Sequence, residues 1–262
     1  MKVSIITINY NNAVGLRRTI ESIVSKNLTD IEYIVIDGNS TDESVGVIKE
    51  YSDKISYWVS EPDAGIYNAM NKGIRQATGE YVIFINSGDT ICKHSDMQQI
   101  ISQISGEDII YFNLEINDLN TNIGYTKEYP DFPDFKYFIE DTLPHPGSFI
   151  KKKSLVDYGY YNEDLKITSD WAFFMDSICI NKCTYKHINA CFSIFYLDGI
   201  SSNTDSYELI FLERKNHIAS AYPLYTSIYE DWKNVKQELY KLKTSISVRY
   251  LKKFGFLKWL KL

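Results

Sequence analysis

Residues 61–89 read EPDAGIYNAMNKGIRQATGEYVIFINSGD, and this stretch decides the fold class. Apolar side chains recur at helical spacing over residues 66–77, and Gly79 follows where a helix commonly stops, so we predict a helix there. Residues 81–85 then carry a continuous apolar run, which predicts a buried strand over residues 80–85. A helix that leads directly into a buried strand is the repeating unit of an α/β sheet.

The same alternation runs back to the start of the chain. Strands are predicted at residues 3–8, 31–36 and 55–60, with helices beginning near residues 16 and 40. Further along, we predict strands at residues 109–116 and 192–197, a helix at residues 170–180, a loop at residues 129–135, and helices after about residue 204. Strands joined by helical crossovers predict a mostly parallel central sheet flanked by helices, with a C-terminal helical tail.

Polar side chains follow four of the predicted strands at the point where each strand ends. The clusters are Asn9-Tyr10-Asn11, Asp37-Gly38-Asn39, Glu61-Pro62-Asp63 and the run Asn86-Ser87-Gly88-Asp89. Parallel sheets bind their ligands beyond the carboxyl ends of the strands. We therefore expect the four clusters to meet along one edge of the sheet.

Two motifs that the sequence lacks narrow the chemistry of that edge. Neither GxGxxG nor GxxxxGK[ST] follows the first strand, which argues against a dinucleotide dehydrogenase and a P-loop enzyme. A carboxylate that holds Mg²⁺ or Mn²⁺ is the usual substitute where a diphosphate must be bound. Asp89, which follows a small Ser-Gly pair, is the candidate ligand, and capping of the next helix is its alternative role.

Composition and charge exclude other classes. The 262 residues carry a formal net charge of −6, which makes nucleic acid a poor partner. The four cysteines form no CxxC pair and the first residues read as a strand rather than a signal peptide, so we expect free thiols in the cytoplasm. No apolar run reaches the ~18 residues that suggest a membrane-spanning helix.

Three blocks resemble the large family 2 of nucleotide-sugar glycosyltransferases, which have the Rossmann-like GT-A fold. They are VSIITINYNN at residues 3–12, YIVIDGNSTDES at residues 33–44 and the opening stretch around residues 60–89. A weaker resemblance continues through HPGSFIKK, YNEDLKITSDWAFF and LDGISS, so it covers about residues 1–205. It implies a catalytic domain at residues 1–205, with a nucleotide-binding half at 1–90 and an acceptor half at 91–205, and a helical, basic amphipathic extension at 206–262.

The resemblance also implies site residues. It assigns nucleotide-sugar binding to Asn9, Tyr10, Asp37, Asp63, Gly65, Lys72, Ser87, Gly88 and His145, and metal binding to Asp89. An Asp37 carboxylate facing the N3–H of uracil would favour a UDP-sugar, with a GDP-sugar as the open alternative. The chain departs from the family at residue 88, where glycine replaces a carboxylate expected near the ribose, and at residue 68, where asparagine replaces aspartate.

Asp170 resembles the catalytic base of the family. A sugar hydroxyl is a weak nucleophile, so a carboxylate must take its proton as it attacks the anomeric carbon, and one displacement inverts the configuration. Ser169 stands where the family often has glutamate, so Asp170 is the single carboxylate there, while Trp171 is expected in the core. Two other classes stay open, a nucleotidyltransferase and a catalytically degenerate module that binds a UDP-sugar.

The C-terminal segment is basic and aromatic. Residues 240–262 interleave lysine and arginine with Leu, Phe and Trp, which is typical of a helix that lies on an anionic membrane surface. The resemblance points to enzymes that build bacterial exopolysaccharide, colanic acid or O-antigen, and thus to a glycan or a polyprenyl-diphosphate-linked acceptor at the inner face of the cytoplasmic membrane. The alternatives are that residues 240–262 pack on the catalytic domain or form a homodimer contact. Separately, residues 198–202 resemble a family segment that covers the diphosphate of the donor.

Overall fold

The computed structural model describes residues 3–26, 29–93, 97–119, 121, 123–197, 206–245, 248 and 250. The chain divides into two compact units, residues 1–209 and residues 210–262. Of the sequence predictions, residues 198–202 lie outside the described residues, and so does most of the basic segment, at 246, 247, 249 and 251–262.

The first unit alternates strands and helices as the sequence predicts. Its strands are β1 (Val3–Asn9), β2 (Ile31–Asp37), β3 (Tyr57–Ser60), β4 (Tyr81–Phe84), β5 (Thr90–Ile91), β6 (Ile109–Asp118), β7 (Ile123–Lys127), β8 (Ser148–Lys151) and β9 (Tyr185–Tyr196). Its helices are α1 (Ala13–Val24), α2 (Ser44–Glu50), α3 (Ile66–Gln76), α4 (Met97–Ser102), α5 (Phe135–Glu140), α6 (Lys152–Asp157) and α7 (Ser169–Cys179), with a 3₁₀ turn at His145–Gly147.

The strands form one mixed sheet in the order β3-β2-β1-β4-β8-β6-β9-β5, with β7 paired to β6. The first four strands are mutually parallel, which is the arrangement that the sequence predicts for the N-terminal half. Strand β8 is antiparallel to both of its neighbours, and β6 and β9 are parallel to each other. The second half of the sheet therefore departs from a purely parallel pattern.

The register of the first three strands aligns the polar residues at their ends. Asn9 lies opposite Asp37, and Asp37 lies opposite Ser60. The interiors of β1 and β2 are rich in β-branched residues and buried, and the apolar face of α1, which includes Leu16 and Ile20, packs into the same core. The polar side chains at the carboxyl ends of these strands therefore gather along one edge of the sheet.

Helix α3 ends in a different way from the one predicted. Its C-terminal cap is Ala77, in an extended conformation, and the prediction that Gly79 occupies the position just after the helix is wrong. Gly79 instead lies in the turn before β4, and its N–H donates a 2.9 Å hydrogen bond to the buried Ser4 Oγ. The side chain of Glu32 accepts from Ser4 and from Thr78, and these bonds fix the turn into β4.

The second unit is helical in its described part. Helix α8 (Tyr207–Ala221) enters it, and a 3₁₀ turn at Pro223–Tyr225 leads into α9 (Thr226–Thr244). The ring of Tyr229 stacks on Phe211 at 5.2 Å and on Trp232 at 5.7 Å. None of the helices in the described ranges is long and apolar enough to cross a membrane.

Candidate active site

A cavity of about 950 Å³ opens at the carboxyl ends of β1, β2 and β4, within the first unit. Its wall includes eight of the predicted site residues: Asn9, Tyr10, Asp63, Gly65, Ser87, Asp89, His145 and Asp170. The predicted base and the predicted metal ligand thus face one space, although 81 positions separate Asp89 from Asp170 in the sequence. The turn after β4 supplies Asp89, and the start of α7 supplies Asp170.

Asp37 ends β2 behind the cavity wall and is fully buried. Its Oδ1 accepts from Asn9 Nδ2 at 2.7 Å and from Ser40 Oγ at 2.6 Å. Its Oδ2 accepts from the Ser40 N–H at 2.9 Å and from Ser60 Oγ at 2.6 Å. The chain itself therefore satisfies both oxygens, and the structure differs here from the expectation of a carboxylate that faces the cavity.

The turns after β1 and β2 are locked together around this carboxylate. Ser40 Oγ also accepts from the Asn11 N–H at 2.8 Å, and the Thr41 N–H donates to Asn11 Oδ1 at 2.8 Å. Asn11 and Asn39 adopt positive φ angles of 48° and 64°, which asparagine tolerates better than most residues. Asp37 thus holds in place the turns after β1 and β2 that border the cavity.

Gly38 is a site residue that the sequence reasoning missed. A Cβ atom at Gly38 would come within 2.5 Å of Asp63 Oδ2, so the carboxylate of Asp63 occupies the space that only glycine leaves. Asp63 is held in turn by Gly65, whose N–H donates to Asp63 Oδ1 at 3.0 Å. A glycine that directly follows a buried strand-end aspartate was the available signal for this close approach.

Lys72 and Gly88 are the other two predicted residues that do not line the cavity. Lys72 Nζ pairs with Glu61 Oε1 at 2.8 Å and donates to the Pro62 carbonyl at 2.8 Å, so it braces the loop after β3. Gly88 is buried with φ of 111°, and its carbonyl accepts from Arg18 Nε at 2.9 Å and Nη2 at 2.6 Å. The usual carboxylate would be strained on this backbone, which is a physical reason for glycine there.

Asp89 lies at the tip of the turn after β4 and is 7% exposed. Its Oδ1 accepts from the Tyr196 N–H at 3.3 Å, and its carbonyl accepts from Thr19 Oγ1 at 2.7 Å. On the same turn, Asn86 Oδ1 is a buried oxygen of the cavity wall that has no hydrogen-bond partner in the described structure. Carboxylate and amide oxygens are ligands that Mg²⁺ and Mn²⁺ accept, so the donor set fits such an ion.

Protein groups alone do not complete a metal site in the described ranges. No group of three or more His, Cys, Asp or Glu residues there is placed to hold an ion. Mg²⁺ characteristically keeps several positions for water and for substrate phosphate oxygens. An ion at Asp89 would accordingly take the rest of its ligands from a bound diphosphate and from water.

Asp170 sits in the first turn of α7 and is half-buried. The hydroxyl of Tyr67, from the first turn of α3, donates to Asp170 Oδ1 at 2.8 Å. Burial and the negative charge of Asp170 raise the pKa of Tyr67 well above its usual range, so this phenol stays protonated. Next in the chain, Trp171 is buried and donates to the Phe138 carbonyl, which confirms it as a core residue.

His145 lies beside this pair in an aromatic environment. Its ring stacks on Phe84 with a centroid distance of 4.9 Å, and its Nε2 is 2.9 Å from the hydroxyl of Tyr161. Burial lowers the pKa of His145, an effect that the charge of Asp170 partly opposes, so the imidazole is neutral near pH 7. Sequence reasoning missed Tyr67 and Tyr161, although Tyr67 stands two residues after Gly65 in the opening stretch.

Asn68, where the family often has aspartate, is matched by a residue from another part of the chain. Its Nδ2 donates to Glu163 Oε2 at 2.7 Å, and Asn71 Nδ2 donates to Glu163 Oε1 at 2.8 Å. These two hydrogen bonds hold the pKa of Glu163 below its usual range. An aspartate at position 68 would set a second carboxylate against Glu163, so the departure is explained by local charge.

The charges of the cavity wall are one-sided. Asp63, Asp89 and Asp170 are acidic, whereas the lining contributed by the described residues includes neither lysine nor arginine. The one histidine in that lining, His145, has a lowered pKa and adds no positive charge near neutral pH. A polyanionic ligand would therefore enter against unfavourable charge unless a cation accompanied it.

Solved structures with the same architecture define the fold. S. aureus TarS 1-349 in complex with UDP-GlcNAc superposes with a TM-score of 0.63 at 19% identity, covering 84% of this chain and 67% of that chain. The mannosyltransferase PcManGT from Pyrobaculum calidifontis, in complex with GDP-Man and Mn²⁺, gives a TM-score of 0.60 at 15% identity, covering 99% of this chain and 81% of that chain. The fold is the GT-A fold of glycosyltransferases.

Sequence comparisons define the family. Residues 4–162 match the family model described as glycosyl transferase family 2. An uncharacterized glycosyltransferase of Mycobacterium tuberculosis is 30% identical over 207 residues, covering 78% of each chain. A PGL/p-HBAD biosynthesis glycosyltransferase of Mycobacterium bovis is 24% identical over 176 residues, covering 65% of this chain and 67% of the relative. The chain belongs to glycosyl transferase family 2, and it is a glycosyltransferase enzyme.

Proposed function

We propose that this glycosyltransferase is inverting and metal-dependent, and that it moves a hexose-type sugar from a nucleotide-sugar, preferably a UDP-sugar, to a glycan or lipid-linked acceptor. The observation that carries the proposal is the shared cavity of Asp89 and Asp170. A carboxylate suited to a metal and a half-buried carboxylate suited to proton transfer face one space of about 950 Å³, which is enough for a nucleotide-sugar.

Asp170 acts as the general base. It removes the proton from the acceptor hydroxyl while that oxygen attacks the anomeric carbon, and the bond from that carbon to the diphosphate oxygen breaks on the opposite side. His145 is neutral and hydrogen-bonded to Tyr161, so it is suited to contact the donor sugar rather than to take the proton. With a single carboxylate at the start of α7, the reaction is one displacement with inversion.

Asp89 and Asn86 would hold Mg²⁺ or Mn²⁺, which neutralises the charge of the departing nucleoside diphosphate. The acidic lining supports this part of the proposal, because the described wall offers no lysine or arginine that could do the same. A solved structure with the same fold contains Mn²⁺ together with GDP-Man.

The nucleoside binds at the end of the cavity formed by Asn9, Tyr10 and Asp63. Asn9 Oδ1 is a buried acceptor of the cavity wall without a hydrogen-bond partner in the described residues, and it can accept the N3–H of uracil. The ring of Tyr10 is 67% exposed at the rim and offers a face for the base. Guanine also presents N–H donors, so a GDP-sugar remains the alternative donor.

The acceptor is a glycan or a polyprenyl-diphosphate-linked sugar used in surface polysaccharide synthesis, reached from the inner face of the cytoplasmic membrane. The basic aromatic residues 240–262 support attachment to an anionic membrane surface, where a lipid-linked acceptor would lie. Vesicle flotation of the chain with and without residues 241–262 tests this part, and equal flotation would contradict it.

The catalytic part is tested by measuring hydrolysis and transfer from a panel of UDP- and GDP-sugars, with and without Mn²⁺. We expect turnover with a UDP-sugar, its loss with chelator, and its loss in Asp89→Asn and Asp170→Asn. Asp157→Asn is the matched control, since Asp157 is a surface carboxylate of α6 paired with Lys153. Binding of a UDP-sugar without turnover would instead indicate a degenerate module. Release of pyrophosphate on incubation with a nucleoside triphosphate and a sugar phosphate would indicate a nucleotidyltransferase.

A further inference from the structure

Tyr67 occupies an unusual place between two helices. It lies in the first turn of α3 and is 4% exposed, and its hydroxyl reaches the first turn of α7. The Tyr67 hydroxyl donates to Asp170 Oδ1 at 2.8 Å. Burial raises the pKa of this phenol well above its usual range, and the negative charge of Asp170 adds to that effect.

We propose that Tyr67 is the positioning residue of the catalytic base, fixing the Asp170 carboxylate with one oxygen bound and the other directed to the acceptor hydroxyl. The inference rests on the proposed function in which Asp170 is the base. Tyr67 touches no reacting atom, and it acts through the 2.8 Å hydrogen bond to Asp170 Oδ1.

The hydrogen-bonding capacity of a phenol explains the arrangement. Tyrosine has a single proton to donate, so Tyr67 can hold one carboxylate oxygen and no more. Within the described residues, Asp170 Oδ2 accepts no hydrogen bond, which leaves it for the substrate. The raised pKa of Tyr67 keeps the donor protonated wherever the enzyme works. A donor to the carboxylate favours its ionised form, which is the form that accepts a proton.

The other titratable groups that face Asp170 cannot substitute for Tyr67. Burial raises the pKa of Tyr161 and lowers that of His145, while the charge of Asp170 acts upward on both. Their polar atoms are paired with each other at 2.9 Å. Of the three groups, Tyr67 alone donates a hydrogen bond to the carboxylate in the described structure, and its ring lies 5.7 Å from that of Tyr161.

The test is the pH dependence of kcat and kcat/KM for the donor that the wild type uses. In Tyr67→Phe we expect the acid limb to move to higher pH by about one unit, the scale of one hydrogen bond to a charged group. On that limb kcat falls by about tenfold, the KM for the donor stays within about twofold, and kcat recovers as the pH is raised. Tyr67→Leu, a second donor-free side chain with different packing, is expected to give the same shift.

Tyr33→Phe is the matched control. Tyr33 is a buried tyrosine of β2 whose hydroxyl lies 3.1 Å from Thr7 Oγ1, outside the cavity lining, so its removal costs one buried hydrogen bond without touching Asp170. We expect Tyr33→Phe to lower the thermal midpoint and leave the acid limb in place. The inference would be overturned if the acid limb of the kcat profile lay at the same pH in wild type, Tyr67→Phe and Tyr67→Leu. A loss of kcat that did not depend on pH would overturn it as well. Full turnover by Asp170→Asn would overturn the proposed function itself.

Discussion

Two of the predicted site carboxylates have opposite surroundings. At the end of β2, Asp37 is fully buried and its oxygens accept four hydrogen bonds from three residues of the chain. At the start of α7, Asp170 is half-buried and accepts one side-chain hydrogen bond, from Tyr67. A carboxylate that the chain saturates can hold structure together, whereas one with a spare oxygen can do chemistry, so the same residue type serves two purposes in one site.

The largest expected effect comes from Asp170, the proposed general base. Asp170→Asn keeps the size of the side chain and removes its ability to take a proton. We expect turnover to fall by about 10²- to 10⁴-fold, the usual contribution of a general base. The free energy of unfolding should change by less than about 0.5 kcal/mol, because the amide oxygen can still accept from Tyr67. Initial rates at saturating donor and acceptor, with urea unfolding of the same samples, measure both quantities.

The same substitution at Asp37 should show the reverse pattern. In Asp37→Asn an N–H₂ group replaces one oxygen and meets donors from Asn9, Ser40 or Ser60. We expect a loss of about 2 kcal/mol in the free energy of unfolding, the scale of buried donors left without partners. If Asp37→Asn instead abolished donor binding at unchanged stability, Asp37 would contact the nucleotide directly and the contrast between the two carboxylates would fail.

How much of this contrast the sequence could predict depends on how far apart in the chain the contacting residues lie. The strands β1 to β4 and the polar edge that they share follow from local periodicity, and they were predicted. The pairing of β8 between β4 and β6 was not, because an antiparallel insertion has no local pattern that specifies its neighbours.

The environments of the site carboxylates were equally hard to predict. Asp37 and Ser60 read as residues at strand ends and Ser40 as the start of a helix. Only the register of β2 and β3 shows that Asp37 and Ser60 meet. Tyr67 and Asp170 are separated by 103 positions, and their hydrogen bond depends on how α3 and α7 pack. Residue types at strand ends thus locate the site, while tertiary packing decides which carboxylate is free to react.

A smaller effect is expected at residue 88, where the chain departs from its family. Gly88→Asp restores the usual carboxylate on a backbone with φ of 111°. We expect a loss of about 1–2 kcal/mol in stability from backbone strain and no gain in turnover. Gly46→Ala in α2 is the control, since its Cβ would make ordinary contact at 3.5 Å from Glu43 Oε2. Higher turnover of Gly88→Asp would mean that the turn can accept a second carboxylate.

The smallest effect concerns the imidazole of His145, whose pKa burial lowers. Burial lowers the pKa of His145 below the ordinary value of 6.5, so the unfolded chain binds this proton more readily than the folded one. The contribution of His145 to stability is therefore complete above about pH 6.5 and is lost as the pH falls below it. Thermal midpoints from pH 7.5 to 5.0 should fall less steeply in His145→Gln than in wild type, by the equivalent of about 1 kcal/mol per pH unit.

His217→Gln serves as the control for the loss of a histidine, because His217 is half-buried in α8 of the second unit. Its pH profile of thermal midpoints should follow that of the wild type. Parallel curves for wild type and His145→Gln would show that the folded protein tolerates a charged imidazole beside Asp170. In that case the charge of Asp170 would outweigh burial, and His145 could share the proton that the proposed mechanism assigns to the carboxylate alone.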